Sequence, residues 1–181
     1  MPPSRGMLAL SLVPALAGCS ASSLPEVRPG DFQVSCEWSE GSLPPPFHYE
    51  YTIAITPLGE GTVTMVPDYA FNKPPTWTET FTLTAAEMDA LYRVLNEQGS
   101  LTTYWRTDSN PPIGGSHESI HITAGNRQVE IPEFVVAGQT AAATKVQEAV
   151  HAAVPQALWD KLEAQRQQYV EDHRKQEAPA S

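Results

Sequence analysis

His117-Glu118-Ser119-Ile120-His121 matches the string H-E-x-x-H, the residues of this chain most able to do chemistry. On a helix, histidines four residues apart share a face and rise about 6 Å, so both imidazoles can reach one zinc ion. The glutamate beside them can then act as general base on the metal-bound water, which is the chemistry of peptide hydrolysis. In that reading His117 and His121 are zinc ligands, Glu118 is the catalytic base, and Glu148 or Glu163 completes the coordination. The flanking residues argue for another backbone. Gly114-Gly115 precede the string, Ile120 and Ile122 alternate with Ser119, His121 and Thr123, and Ala124-Gly125-Asn126 follows. β-Branched alternation between turn residues is a strand pattern. On a strand His117 and His121 stand about 13 Å apart, too far to share a metal whose bonds are about 2 Å. The expectation is therefore a strand with no catalytic residue, metal or cofactor, and the zinc peptidase is the alternative.

The string is similar to that of the zincin metallopeptidases, but the longer metzincin form is broken. Ala124 stands where its glycine belongs and Arg127 where its third histidine belongs. Trp105 and Arg106 are a second candidate. They sit in a long Pro- and Gly-rich loop, residues 102–116, where they could stack on a sugar or grip a carboxylate. The plainer reading is a loop pinned to the core by its tryptophan. His48 and His121 read as side chains on wet strand faces, and Tyr49 and Tyr51 as core. Cys36 lies in an alternating apolar run and reads as a buried, inert thiol; an intermolecular disulfide is the alternative. Nothing resembles a nucleophile elbow or a phosphate-binding glycine loop.

The N-terminus carries an address. Arg5 gives a cationic start, residues 7–17 form an apolar run of about 11 residues, and Leu16-Ala17-Gly18-Cys19 closes it. Such a run suits a secretory signal and is too short to span a bilayer, which takes about 20 residues. The segment resembles the lipobox leader of bacterial lipoproteins. That resemblance implies a signal peptide over residues 1–18, removed before Cys19. It also implies that Cys19 is acylated on sulfur and on its new amino group with chains such as palmitate. Each buried methylene contributes about 0.8 kcal/mol and one chain holds only marginally, so two or three chains make a stable anchor in the lipid bilayer. Ser20, rather than an aspartate, follows the cysteine and points to the outer membrane of the cell envelope, on its periplasmic or surface side. An ordinary cleaved signal peptide with a chance cysteine is the alternative.

The chain has 181 residues, with 11 Lys and Arg against 21 Asp and Glu, a net charge of −10. Loss of Arg5 with the leader leaves ten basic residues and a charge of −11. A chain this acidic lacks the basic patch that nucleic acid requires. Hydrophobic residues make up 41%, enough for a folded core. The expected partners are the bilayer and an envelope protein, peptide or glycan.

Residues 19–30, rich in small residues and proline, read as a flexible tether to a single domain over 31–171, with a frayed tail at 172–181. Period-two alternation predicts strands over 32–38, 47–56, 62–66, 77–83, 120–123 and 129–131. Thr84-Ala85-Ala86-Glu87 is a capping box, followed by Met88, Leu91, Tyr92 and Leu95 at helical spacing and by Gly99 as terminator. Thr140 or a neighbour begins a helix through Val154, with Val146 and Val150 inward. Pro155 restarts another, with Leu158, Trp159, Leu162 and Tyr169 as its stripe. The fold class is α+β: an antiparallel sheet built from hairpins, with about three helices against it. The stretch from Thr84 to Trp159 loosely resembles small bacterial lipoprotein domains to which no activity is assigned. It shares a capped helix, a Gly-Gly loop, a hairpin and a Val154-Pro155-x-x-x-Trp159 segment. That resemblance supports the strand at 117–123. Together these readings describe a membrane-anchored envelope lipoprotein that binds a partner or serves the envelope structurally.

Overall fold

Alternation puts every second side chain on one face, so each strand needs neighbours whose apolar parity matches its own. Strand β1 (Gln33–Ser39) has two such neighbours, β2 (Glu50–Ile55) and β5 (His117–Ala124). With β3 (Glu60–Val66), β4 (Trp77–Thr82) and β6 (Arg127–Ile131) they form one sheet in the order β4-β3-β2-β1-β5-β6. Every pairing is antiparallel. The structure, a computed structural model, describes residues 26–177. Cys19, its leader and the first part of the expected tether lie outside these residues.

The register carries apolar rows across the sheet. Val34 faces Ile55 and Ile122, Cys36 faces Ile53 and Ile120, and Trp38 faces Tyr51 and Glu118. Ile53, Ile120, Ile122 and Val63 are at most 1% exposed. Three helices close this face: α1 (Ala85–Glu97), α2 (Thr140–Ala153) and α3 (Gln156–Glu177). Phe32 meets Tyr92 of α1 edge to face at 5.2 Å, and Tyr51 meets Trp159 of α3 at 5.0 Å. The other face of the sheet is exposed and polar, with Gln33, Glu37, Thr52, Thr62, Thr80 and His121 outward. Among the described residues no helix is long and apolar enough to cross a membrane.

Local signals explain the element ends. The Glu87 amide donates to Thr84 Oγ1 (3.3 Å) and the Thr84 amide donates to the Glu87 carboxylate (2.7 Å), completing the capping box. Met88, Leu91, Tyr92 and Leu95 are all buried. Gly99 takes φ +67°, and the Ser100 amide returns to the Leu95 carbonyl. Between β5 and β6, Gly125 and Asn126 both adopt positive φ (60° and 62°), the two-residue turn that matches strand twist.

Four regions differ from the sequence reading. Strand β2 starts at Glu50 rather than at 47, because β1 ends opposite it at Ser39 and only the Glu40–Tyr49 backbone bond continues the ladder. Strict parity therefore lapses before Glu50. His48 is 3% exposed rather than wet, stacked on Tyr69 at 3.8 Å with Nε2 donating to Glu50 (2.9 Å). Helix α2 begins after Gln139 with no side-chain cap, and Thr140 is its first residue. Helix α3 runs beyond Glu171 to Glu177, with the Arg174 guanidinium over the Phe47 ring at 5.2 Å. Within the stretch read as a tether, Arg28 is tied to the domain: its Nε donates to Asp89 Oδ1 of α1 at 2.7 Å.

Candidate functional site

The H-E-x-x-H residues lie on β5, which is extended throughout. Four residues of strand separate His117 from His121 by about 13 Å, opposite Ser39 and Ser35 of β1 respectively. The two imidazoles cannot share a metal ion, and Glu118 points to the opposite face of the sheet from both. Of the proposed third ligands, Glu148 is exposed on α2, and Glu163 is held by Arg166 through two bonds of 2.8 Å. The zincin arrangement is therefore not formed, for the strand-geometry reason given above. Among the described residues no three His, Cys, Asp or Glu side chains converge in a metal-holding group.

Trp105 and Arg106 part company. Trp105 is 9% exposed, with its indole N–H donating to the Ser100 carbonyl at 2.9 Å. Arg106 is exposed, and its backbone is tied down by the Gln139 side chain and the Val136 amide. Trp105 is thus turned into the core while Arg106 faces solvent. The loop they sit in is held to the segment before α2 by the Thr107–Val135 bridge and by the Asp108 amide on the Phe134 carbonyl (2.8 Å).

That tie builds a cleft of about 440 Å³ at one end of the sheet. Trp38 and Glu118, neighbours across β1 and β5, line it from below. Thr140, Ala143, Thr144 and Gln147 form one wall, a single face of α2 at helical spacing. Phe134 and Val135 form the other, and Asp108, Pro112 and Ser116 close it from the loop. His117 stands at the rim, 3.9 Å from the Glu133 carboxylate and 6.0 Å from the Phe134 ring. A second crevice continues past His117 and Phe134 toward His48, Glu50, Tyr69 and Gly115. Gly41 lets this rim close, since a Cβ there would strike the Gly115 backbone.

Glu118 faces the helices because Ile120 and Ile122 do; parity gives it no choice. The Cys36 thiol donates to its Oε1 at 2.9 Å. Burial raises the Glu118 carboxyl above its ordinary range, and the thiol bond offsets this in part. Burial first, and the Glu118 charge second, push both the Cys36 thiol and the Tyr51 hydroxyl far up. Cys36 is thus a protonated donor and not a thiolate nucleophile.

The cleft's electrostatics are one-sided. Asp108, Glu118 and Glu133 line it, and no Lys or Arg does among the described residues. Asp108 accepts from the Asn110 amide (2.9 Å) and Glu133 faces His117. Among the described residues Glu118 has only the Cys36 thiol. Sequence reasoning carried Glu118 only as the base of the alternative peptidase reading, and did not single out Trp38, Thr144 and Gln147, which line the cleft. The parity of Ile120 and Ile122 was the signal for Glu118, and the polar stripe 140/144/147 beside inward Val146 and Val150 was the signal for the wall. No protein-family model matches the chain, and comparison with curated proteins finds no match either.

Proposed function

We propose that this chain is a lipid-anchored bacterial envelope protein whose α+β domain binds a ligand in the cleft over Glu118. The observation that carries this reading is the placement of two features at opposite ends of one ladder. Asp31, where the chain enters the sheet, bonds the Gly125–Asn126 turn at the far end of β5, while Glu118 and the cleft lie at its start. Six residues of strand separate those ends by about 20 Å. A domain held at Cys19 offers its cleft on the side away from its tether. The lipobox residues Leu16-Ala17-Gly18-Cys19 support the anchor, and Ser20 supports the outer membrane.

The cleft's contents suit binding. Its volume lies in the range of small-ligand sites, and it combines aromatic walls with a few placed polar groups. The test is to compare the full chain with Cys19→Ser in the native host. The wild type should fractionate with membranes and yield an N-terminal Cys19 bearing acyl chains by mass spectrometry; the variant should leave the membrane. A wild-type protein whose first residue is not acylated Cys19 overturns the anchor.

A further inference from the structure

Glu118 poses a question of chemistry. A carboxylate moved out of water needs donors or a cation, and a thiol is the weakest of donors. Elsewhere the fold supplies cations to its acids: Arg28 to Asp89, Lys161 to Glu79 and Arg166 to Glu163. At Glu118 it supplies none among the described residues, and instead surrounds the carboxyl with a cavity. Trp38 and Phe134 present aromatic carbon there, and Thr144 and Gln147 present hydroxyl and amide. An apolar stem ending in a positive group matches each of these at once: rings for the stem, spare carboxylate oxygens for the charge.

We propose that the cleft binds an organic cation, a primary ammonium or guanidinium on a short apolar stem, with Glu118 as its counter-ion. The inference rests on the cleft being the ligand site, as argued above. The cation can arrive as a free amine or as the Lys or Arg side chain of a peptide, since both offer the same group. The neighbours are consistent with this charge. Cys36 of β1 and Tyr51 of β2 stay neutral beside Glu118. Asp108 and Glu133 add negative charge from the loop and from beyond β6, and among the described residues His117 is the sole basic group on the lining. Helix α2 brings only Thr140, Ala143, Thr144 and Gln147.

The experiment is calorimetric titration of the intact protein at neutral pH. The probes are n-pentylamine and blocked Ala-Lys-Ala, each against a neutral isostere (n-pentanol, blocked Ala-Gln-Ala), with a chitin trisaccharide as an uncharged glycan. At least one cation should bind, its isostere at least tenfold more weakly. Glu118→Gln should weaken the cation at least tenfold while retaining the wild-type circular dichroism. Thr144→Arg, an exposed wall position that would place a guanidinium in the cleft, should block added cations, and it keeps the test decisive if Glu118→Gln misfolds. The amine and peptide arms tell the two sources apart. Equal binding of cation and isostere, or full affinity in Glu118→Gln, overturns the proposal. A neutral probe that binds and is blocked by Thr144→Arg, while no cation binds, overturns the cation but keeps the cleft as a ligand site. Silence from every probe overturns both.

Discussion

The two ends of the β1–β5 ladder are built to opposite rules. At the entry end, the Asp31 carboxylate accepts the Gly125 and Asn126 amides at 2.7 and 2.8 Å. Phe32 beside it is 0% exposed against Tyr92, and Arg28 pairs with Asp89. At the cleft end, among the described residues, Glu118 has one thiol donor and the buried Nδ1 of His48 has no hydrogen-bond partner, and Trp38 is half-buried. The same ladder thus runs from an end whose polar groups are matched to one whose polar groups are left under-matched. Groups left so are where a ligand has something to gain, and where stability is given up.

If that contrast is right, truncation should cost unequally. Phe32→Ala opens a cavity in the sealed end and should lose about 3–5 kcal/mol. Phe134→Ala, at a half-buried ring on the cleft wall, should lose less than half of that, because water already reaches the site. Urea unfolding of both variants at neutral pH measures the difference. Equal losses would mean that the cleft end is packed like core, and the contrast would fail.

The two carboxylates should also respond to acid with opposite signs. The Asn126 and Gly125 amides hold Asp31 below its ordinary value of 3.8, so its contribution is complete above that pH and is lost as pH falls through the native value. Asp31→Ala should therefore destabilise at neutral pH, and the gap to wild type should close in acid. Burial holds Glu118 above its ordinary 4.5, so the folded state favours its protonated form. That preference helps fully below 4.5 and is lost as pH rises through the raised native value. Glu118→Gln should remove this slope and gain up to roughly 1 kcal/mol at neutral pH while losing ligand. Unfolding curves at several pH values decide both; matching slopes in the two variants would erase the distinction between the ends.

The frame of this fold is written locally, and the site is not. Period-two alternation survives into the structure because one face of the sheet meets helices and the other meets water, so Val34, Cys36, Ile53, Ile120 and Ile122 all land inward. The Thr84–Glu87 box works within a single helical turn and was readable for that reason. His48 was misread because it precedes the first paired residue of β2, where alternation no longer decides a side chain's face. Past Glu171, α3 carries Arg174 over Phe47, more than a hundred residues away in sequence, a contact no local pattern shows. Glu118 was legible as an inward carboxylate, but its meaning depends on Cys36, 82 residues earlier, and on an α2 wall whose polar stripe does not say which strand it will face.

The finest division between the ends lies at Arg28. Its side chain is 17% exposed and that of Asp89 is 54% exposed, at 2.7 Å. Pairs of this kind contribute about 0.2–1 kcal/mol and weaken with salt. A double-mutant cycle of Arg28→Ala and Asp89→Ala should give a coupling in that range, shrinking in high salt. Small as it is, the term sets where the lead-in becomes part of the domain. The proposed lipid at Cys19 lies nine residues before Arg28, a span of at most about 30 Å. A coupling of zero would leave the Asp31 carboxylate as the first side-chain tie between the lead-in and the sheet that adds stability. The sealed end would then begin at that carboxylate.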